Sequence, residues 1–252
     1  MLFRNSALLV LLLQLISSHA KRSCLSNCYV DGLIGEPLVI PDDLCTISVG
    51  NDCEVEIDFQ YDRGTYGVSF GTSFISTYSR FIYVLPSNYL TYRATYSCSK
   101  HDSCALDFAK NKVLDLGNRT YDSLRLTREL APILQEDRPT GAALTCYDND
   151  SCAGGVCQIE YDTTSNAQKT RRCERQYNIT RVSIHDSGNY ATFTVQCNRT
   201  KCNSPETLNQ VKAIFARYNL TDANGRINSA HAIVTSALLV FGLAAFVHTL
   251  SM

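Results

Sequence analysis

The sequence lacks an excess of charge of either sign. Its 252 residues include 23 lysines and arginines and 24 aspartates and glutamates, for a formal net charge of -1. Proteins that bind nucleic acid through its phosphates usually carry a strongly basic face. We therefore expect no nucleic-acid partner. The basic stretch QKTRRCERQ, residues 168–176, is expected to form the solvated face of a hairpin.

Histidine is scarce as well, and this limits the available general bases. Of the five histidines, only His101 and His185 lie away from the two ends of the chain. The stretch GVSFG, residues 67–71, has the G-x-S-x-G form of a nucleophile elbow centred on Ser69. Such an elbow needs a strand, a sharp turn and a helix, whereas this stretch lies in aromatic, turn-rich β sequence. We expect no catalytic residue, and a secreted serine hydrolase that uses Ser69 remains an alternative.

Two apolar runs stand at the ends of the chain. At the start, Arg4 precedes an apolar run over residues 7–16, and small residues follow at Ser18 and Ala20. This order is typical of a signal peptide. We predict that residues 1–20 are removed by cleavage after Ala20.

The second apolar run, residues 237–247, predicts a lipid attachment signal. The run is too short to span a membrane unless residues 230–236 are added, and no Lys or Arg follows it. Before it stand three small residues, beginning with Asn228, and a mildly polar spacer. We predict a glycosylphosphatidylinositol (GPI) anchor on Asn228, within an attachment signal at 223–252, which places the protein on the outer leaflet of the plasma membrane. The alternative is a single-pass helix over residues 230–250.

Cysteine is the most informative residue type. Removal of the two ends leaves all twelve cysteines, an even number in an oxidising compartment, which predicts six disulfides. The spacing Cys-x4-Cys also fits a zinc knuckle, but the secretory route favours disulfides, and we expect neither metal nor cofactor. The cysteines are Cys24, Cys28, Cys45, Cys53, Cys98, Cys104, Cys146, Cys152, Cys157, Cys173, Cys197 and Cys202.

Five N-glycosylation sequons fit the same secretory route. Two of them lie inside short cysteine loops, and these are the least suited to carry a glycan. The sequons begin at Asn118, Asn149, Asn178, Asn198 and Asn219, of which Asn149 and Asn198 are the two in loops.

The cysteines fall into two groups of six, which suggests an internal duplication. Each group ends in the same order of strand, cysteine, short loop, cysteine, helix and sequon. We therefore predict a first unit at 21–120, a linker at 121–143 containing Pro132, Pro139 and Gly141, and a second unit at 144–222.

Hydrophobic periodicity predicts mainly β structure, with one short helix after each unit. EVEIDFQYD, residues 54–62, alternates strictly between apolar and acidic or amide side chains, as in a half-buried strand that begins a hairpin. Residues 157–173 predict a second hairpin with its tip at 163–166. After the closing cysteines, apolar residues recur at helical spacing. The first helix is expected to end at Gly117 and the second to begin at Ser204 as N-cap.

The second unit resembles the three-finger superfamily of snake neurotoxins, lymphocyte antigens and urokinase-receptor domains. The likeness rests on LTCY at Cys146, on the hairpin from Cys157 to Cys173, and on the closing QCNRTKCN, which carries the family's Cys-x4-Cys-Asn ending at Asn203. It implies disulfide-braced β-hairpins and an Asn side chain that ties the last strand to the cysteine-rich end. Gln196 stands where the family usually has another cysteine.

The resemblance also implies disulfide pairings in the second unit. It pairs Cys146 with Cys157, Cys152 with Cys173, and Cys197 with Cys202. The short separation in sequence predicts a local pair between Cys98 and Cys104 as well. The connectivity of the other four cysteines in the first unit stays open.

These features predict a non-enzymatic, GPI-anchored surface glycoprotein with an extracellular protein partner. The fold class is small, disulfide-rich and mainly β, with two tandem three-finger-like units. The fourteen tyrosines are expected to cover sheet faces. The alternatives to this function are a single-pass membrane protein and a passive coat protein, which would have no specific partner.

Overall fold

Thirteen strands and three α-helices make up the part of the chain that the structure describes. The computed structural model describes residues 21–136, 144–176 and 179–228. The strands are β1 (Arg22–Ser26), β2 (Cys28–Leu33), β3 (Thr46–Gly50), β4 (Asp52–Gln60), β5 (Thr65–Ser73), β6 (Tyr78–Leu85), β7 (Tyr89–Cys98), β8 (Leu144–Thr145), β9 (Ser151–Cys152), β10 (Val156–Asp162), β11 (Ala167–Glu174), β12 (Arg181–Asp186) and β13 (Ala191–Cys197). The helices are α1 (Cys104–Gly117), α2 (Ser123–Leu134) and α3 (Pro205–Arg217), and a single 3-10 turn covers Tyr147–Asn149.

A nine-stranded antiparallel sheet organises the molecule. Its order is β11-β10-β13-β12-β6-β7-β4-β5-β2, and two small sheets, β1-β3 and β8-β9, are not hydrogen-bonded into it. The expected mainly β, disulfide-rich class, with helices after the strand groups, is confirmed.

Strict alternation gives the large sheet one apolar face. In β4, Val55, Ile57 and Phe59 are fully buried, while the residues between them stay partly exposed. Successive side chains of a strand point to opposite faces, so the pattern of residues 54–62 was sufficient to predict this strand. The predicted hairpins are present as β4-β5 and β10-β11.

Two groups of strands repeat the same arrangement. The order β5-β4-β7-β6 in the first group matches β11-β10-β13-β12 in the second. The equivalent outer strands, β6 and β12, pair with each other, with Ile82 opposite Ile184 and Val84 opposite Val182. Because this pairing is antiparallel, the hairpin tips of the two groups point in opposite directions.

Both predicted helices cover the apolar face. Helix α1 buries Ala109, Val113 and Leu116. Ser204 is the N-cap of helix α3, and its Oγ accepts a hydrogen bond from Thr207 N at 3.2 Å. The ring of Phe215 lies 5.3 Å from that of Phe193 in β13. An apolar stripe therefore defines both helices locally, and in α3 a side-chain cap adds to it.

Helix α2 was not predicted from the sequence. It lies within 121–143, the stretch interpreted as a linker, and buries Leu126, Leu130 and Leu134 on one stripe. Asp122 caps it by accepting a hydrogen bond from Arg125 N at 2.8 Å. Pro132 lies inside the helix, where the sequence suggested a break. Pro139 and Gly141 lie outside the described residues.

Six disulfides join all twelve cysteines. The four expected pairs are present: Cys98–Cys104, Cys146–Cys157, Cys152–Cys173 and Cys197–Cys202. The pairs that the sequence left open are Cys24–Cys53 and Cys28–Cys45. Each bond stays within its own strand group, and no cysteine retains a free thiol.

The predicted signal peptide and most of the predicted attachment signal lie outside the described residues. These are the signal peptide, 1–20, and residues 229–252 of the attachment signal. Within 21–136, 144–176 and 179–228, no helix is long and apolar enough to cross a membrane.

Candidate functional site

Three aromatic side chains stand on the sheet face that the helices leave open. Phe81 and Tyr83 lie in β6 and Tyr89 begins β7. The ring centroids of Phe81 and Tyr83 are 6.2 Å apart, and those of Tyr83 and Tyr89 are 5.9 Å apart. All three rings are half-buried. We call Phe81, Tyr83 and Tyr89 the aromatic strip.

Strand periodicity places the aromatic strip on this face. In β6, Ile82 and Val84 turn inward and are fully buried, so Phe81 and Tyr83 must turn outward. Asn88, with φ of 62°, closes the turn into β7. Asparagine tolerates this left-handed backbone better than most residues do.

A basic and amide-rich flank borders the strip on the side of the second strand group. The guanidinium carbon of Arg181, in β12, lies 5.6 Å from the centre of the Tyr83 ring. Arg181 Nε donates a hydrogen bond to Gln196 Oε1, and Gln196 Nε2 donates to Gln158 Oε1 at 2.9 Å. Arg181, Gln196 and Gln158 therefore form a hydrogen-bonded row of polar side chains that runs from the strip across β12, β13 and β10.

An acidic flank borders the strip on the other side. Glu54, Glu56 and Asp58 follow one another along the open face of β4. Arg93 of β7 pairs with two of them, at 3.4 Å from Glu56 and 3.8 Å from Asp58. Arg93 also stands directly opposite Phe81 in the strand register. On one side of the strip lie three carboxylates and Arg93, and on the other side lies Arg181.

Residues of both strand groups build this surface. The β6-β12 register places His185 opposite Phe81 and Ser183 opposite Tyr83. On the covered face of the same two strands, Arg80 and Asp186 form a buried ion pair with 2.8 Å between Nη2 and Oδ2. Sequence reasoning missed the surface because it depends on a pairing between strands about 100 residues apart. The outward aromatic alternation in β6 was the available signal.

The residues of the hydrolase alternative lie far apart in the sheet. Ser69 is in the middle of β5, opposite Tyr29 and Glu56, and is not at a strand-to-helix turn. His185 lies in β12, with β4, β7 and β6 between it and β5. His101 lies in a loop, where its Nδ1 is 3.2 Å from Ser103 Oγ.

The sequons occupy different environments. Asn118, Asn149 and Asn219 are exposed, whereas Asn198 is half-buried and its Oδ1 accepts a hydrogen bond from Glu136 N at 3.2 Å. The fifth, Asn178, lies outside the described residues.

The predicted anchor residue, Asn228, is the last described residue. It is half-buried, and its Nδ2 donates hydrogen bonds to Asn219 O at 3.1 Å and Thr221 O at 3.0 Å. The folded part of the chain therefore extends up to the predicted attachment point.

Asn203 ties together the cysteine-rich end of the second group. The side chain is fully buried. Its Oδ1 accepts a hydrogen bond from Tyr147 N at 2.7 Å, and its Nδ2 donates to Gln158 O at 3.1 Å. These bonds join the residue after Cys202 to the first loop of the group and to β10.

In the part of the chain that the structure describes, no cluster of three or more His, Cys, Asp or Glu side chains could hold a metal ion. Comparison with known proteins gives no match: none among family models, curated proteins or solved structures.

Proposed function

We propose that this protein is a GPI-anchored cell-surface glycoprotein that recognises an extracellular protein through the open face of its sheet. The observation that carries the proposal is the aromatic strip between flanks of unlike charge. Aromatic residues and arginine are enriched in the central contacts of protein interfaces, where they supply much of the binding energy. Phe81, Tyr83 and Arg181 offer this combination on one surface.

We also infer that the two strand groups are tandem three-finger domains. The repeated strand order, the matching positions of Cys24–Cys53 and Cys146–Cys157, and the two hydrogen bonds of Asn203 support this assignment. The missing cysteine at Gln196 and the helix after each group are departures from the family pattern. Fusion of the two sheets through β6 and β12 makes one broad surface of two small ones.

Three alternatives make different demands on the same molecule. A passive coat protein would need no particular side chain on the open face, so changes to the strip would alter nothing at the cell surface. A serine hydrolase would lose turnover of ester substrates on Ser69→Ala. A single-pass membrane protein would stay on intact cells after treatment with phosphatidylinositol-specific phospholipase C and would keep residues 230–252.

Site-specific photo-crosslinking on intact cells tests the recognition surface. A benzophenone amino acid replaces Phe81 in one form of the protein and Gln210, an exposed residue of α3, in another. We expect a discrete protein adduct from position 81 and none from position 210. Adducts at neither position, or the same adducts at both, would contradict recognition through the open face. Release by the phospholipase, scored on the same cells, tests the anchor separately.

A further inference from the structure

An apolar groove lies on the helix-covered side of the sheet, between the small β1-β3 sheet and α1. Leu25, Ile47 and Leu106 line two adjoining cavities of about 240 and 520 Å³. Cys53 and Phe70, from the covered face of the large sheet, form part of the floor. The groove is therefore on the opposite side of the molecule from the aromatic strip.

Large apolar side chains around this groove point into solvent. Val39, Ile47, Val49 and Leu114 are 69%, 64%, 65% and 60% exposed. Ile47 and Val49 alternate along β3 and therefore share one face of it. Residues four apart share a helix face, so Leu114, two turns after Leu106, lies on the same side of α1 as Leu106. We call Val39, Ile47, Val49 and Leu114 the helix-side apolar patch.

The C-terminal segment leaves the fold on this same side. Asn219 follows α3, and Thr221 pairs with Ile227 in an isolated bridge. Gly225 packs so closely on the Phe193 ring, on the covered face of β13, that an added Cβ would lie 2.9 Å from it. The hydrogen bonds of Asn228 to Asn219 O and Thr221 O hold the last described residue on the helix layer.

We propose that the helix-side apolar patch rests on the lipid of the outer leaflet, with the open face of the sheet directed away from the membrane. This inference rests on the proposed membrane attachment at Asn228. A GPI lipid on that residue, or a membrane helix starting at residue 230, would leave almost no polypeptide between the folded chain and its attachment, so that only the glycan of a GPI anchor would separate them. The side that carries Asn228 then faces the lipid surface.

The composition of the patch suits the bilayer interface. Apolar side chains enter the boundary between headgroups and acyl chains, while an adjacent lysine remains among the phosphates. Lys110 is exposed between Leu106 and Leu114 on α1 and borders the larger cavity. The same orientation leaves Phe81, Tyr83 and Tyr89 free to meet a protein partner.

The absence of tryptophan permits a direct test, because the sequence contains none. Single substitutions Ile47→Trp and Val49→Trp introduce one fluorophore into the patch, and Phe81→Trp introduces one on the open face as the matched control. The anchored protein, purified from cells, is reconstituted in phosphatidylcholine vesicles with and without brominated acyl chains. Release by phosphatidylinositol-specific phospholipase C verifies that each variant is anchored, and near-ultraviolet circular dichroism verifies that it is folded.

We expect the brominated lipid to quench the tryptophan at position 47 or 49 about twofold more strongly than that at position 81. Equal quenching at positions 47 and 81 in phospholipase-releasable protein would overturn the orientation and leave the anchor intact. An unquenched but blue-shifted tryptophan at position 47 would assign the patch to a protein contact and also overturn it. Protein that does not stay with the vesicles would contradict both the anchor and the orientation.

Discussion

Arg80 and Asp186 lie directly opposite each other where the two strand groups meet, and they form a buried ion pair. Nη2 and Oδ2 are 2.8 Å apart, and the side chains are 7% and 0% exposed. Gly188 N donates a hydrogen bond to Asp186 Oδ1 at 2.8 Å, and Arg226 lies 3.6 Å from that oxygen. One carboxylate therefore connects β6, the tip after β12 and the segment that precedes Asn228.

We expect Asp186→Asn to destabilise the protein by about 3–5 kcal/mol, because it leaves the Arg80 guanidinium buried without a counter-charge. Urea unfolding followed by circular dichroism measures the loss. Glu56→Gln is the matched control, since its partner Arg93 is 51% exposed and such pairs contribute about 0–1 kcal/mol. A loss for Asp186→Asn no larger than that of the control would refute a stabilising role for the buried pair.

Replacement of Asn203 is expected to weaken the cysteine-rich end of the second strand group. Asn203→Ala leaves Tyr147 N and Gln158 O without their partner, at a cost of about 1–3 kcal/mol for each buried group. Asn209→Ala changes an exposed residue of α3 and should cost less than about 0.5 kcal/mol. Comparable unfolding midpoints for the two variants would show that the buried amide is not required.

Glu129 provides a pH-dependent link between α2 and the end of α3. Tyr218 Oη donates to its carboxylate at 2.9 Å, and Arg217 pairs with it. Burial acts to raise the pKa of Glu129, but the hydrogen bond from Tyr218 and the charge of Arg217 outweigh it, so the pKa lies below the ordinary value of a glutamate. A lowered carboxyl pKa contributes stability above the unfolded-state value, and this stability is lost as the pH falls through the folded-state pKa.

Thermal unfolding of the wild type and Glu129→Gln therefore should differ at neutral pH and converge in acid. We expect the wild type to melt at the higher temperature at about pH 7 and the difference to shrink as the pH falls through the folded-state pKa of the carboxyl. A difference that stays constant over this range would exclude the carboxylate charge as its source.

Non-reducing peptide mapping should recover six disulfides, three in each strand group. The diagnostic peptides join Cys24 to Cys53 and Cys28 to Cys45, the pairs that the sequence left open. The local pairs at Cys98–Cys104 and Cys197–Cys202 should appear as short cyclic peptides. Any peptide that links a cysteine before residue 105 to one after residue 145 would contradict the division into two braced groups.

Local signals in the sequence predicted much of the fold. The alternation around Ile57 requires a strand with one buried face, and Ser204 followed by Pro205 marks a helix start without any tertiary information. Helix α2 was missed because Pro132 and Pro139 suggested a linker. Leu126, Leu130 and Leu134 form an apolar stripe at helical spacing. This stripe stabilises a helix only when the rest of the fold buries it, and the sequence alone does not show that burial.

The candidate site was less predictable than the fold. Phe81 and Tyr83 alternate with buried residues, so their outward orientation could be derived from the sequence. The contact between Tyr83 and Arg181 could not be derived from the sequence, because it depends on the register between β6 and β12. No turn joins these two strands, and no disulfide fixes their register. The predicted hairpin tips proved to point in opposite directions, and the continuous sheet between them was not visible from either unit alone.

Binding of phospholipase-released protein to intact cells tests the proposed recognition most directly. Fluorescently labelled wild type should bind saturably, and Tyr83→Ala should weaken that binding about tenfold or more, because a central aromatic contact carries a large share of an interface's free energy. Leu114→Ala, on the opposite side of the molecule, should bind like the wild type. Equal binding by wild type and Tyr83→Ala, or no saturable binding at all, would contradict recognition through the open face.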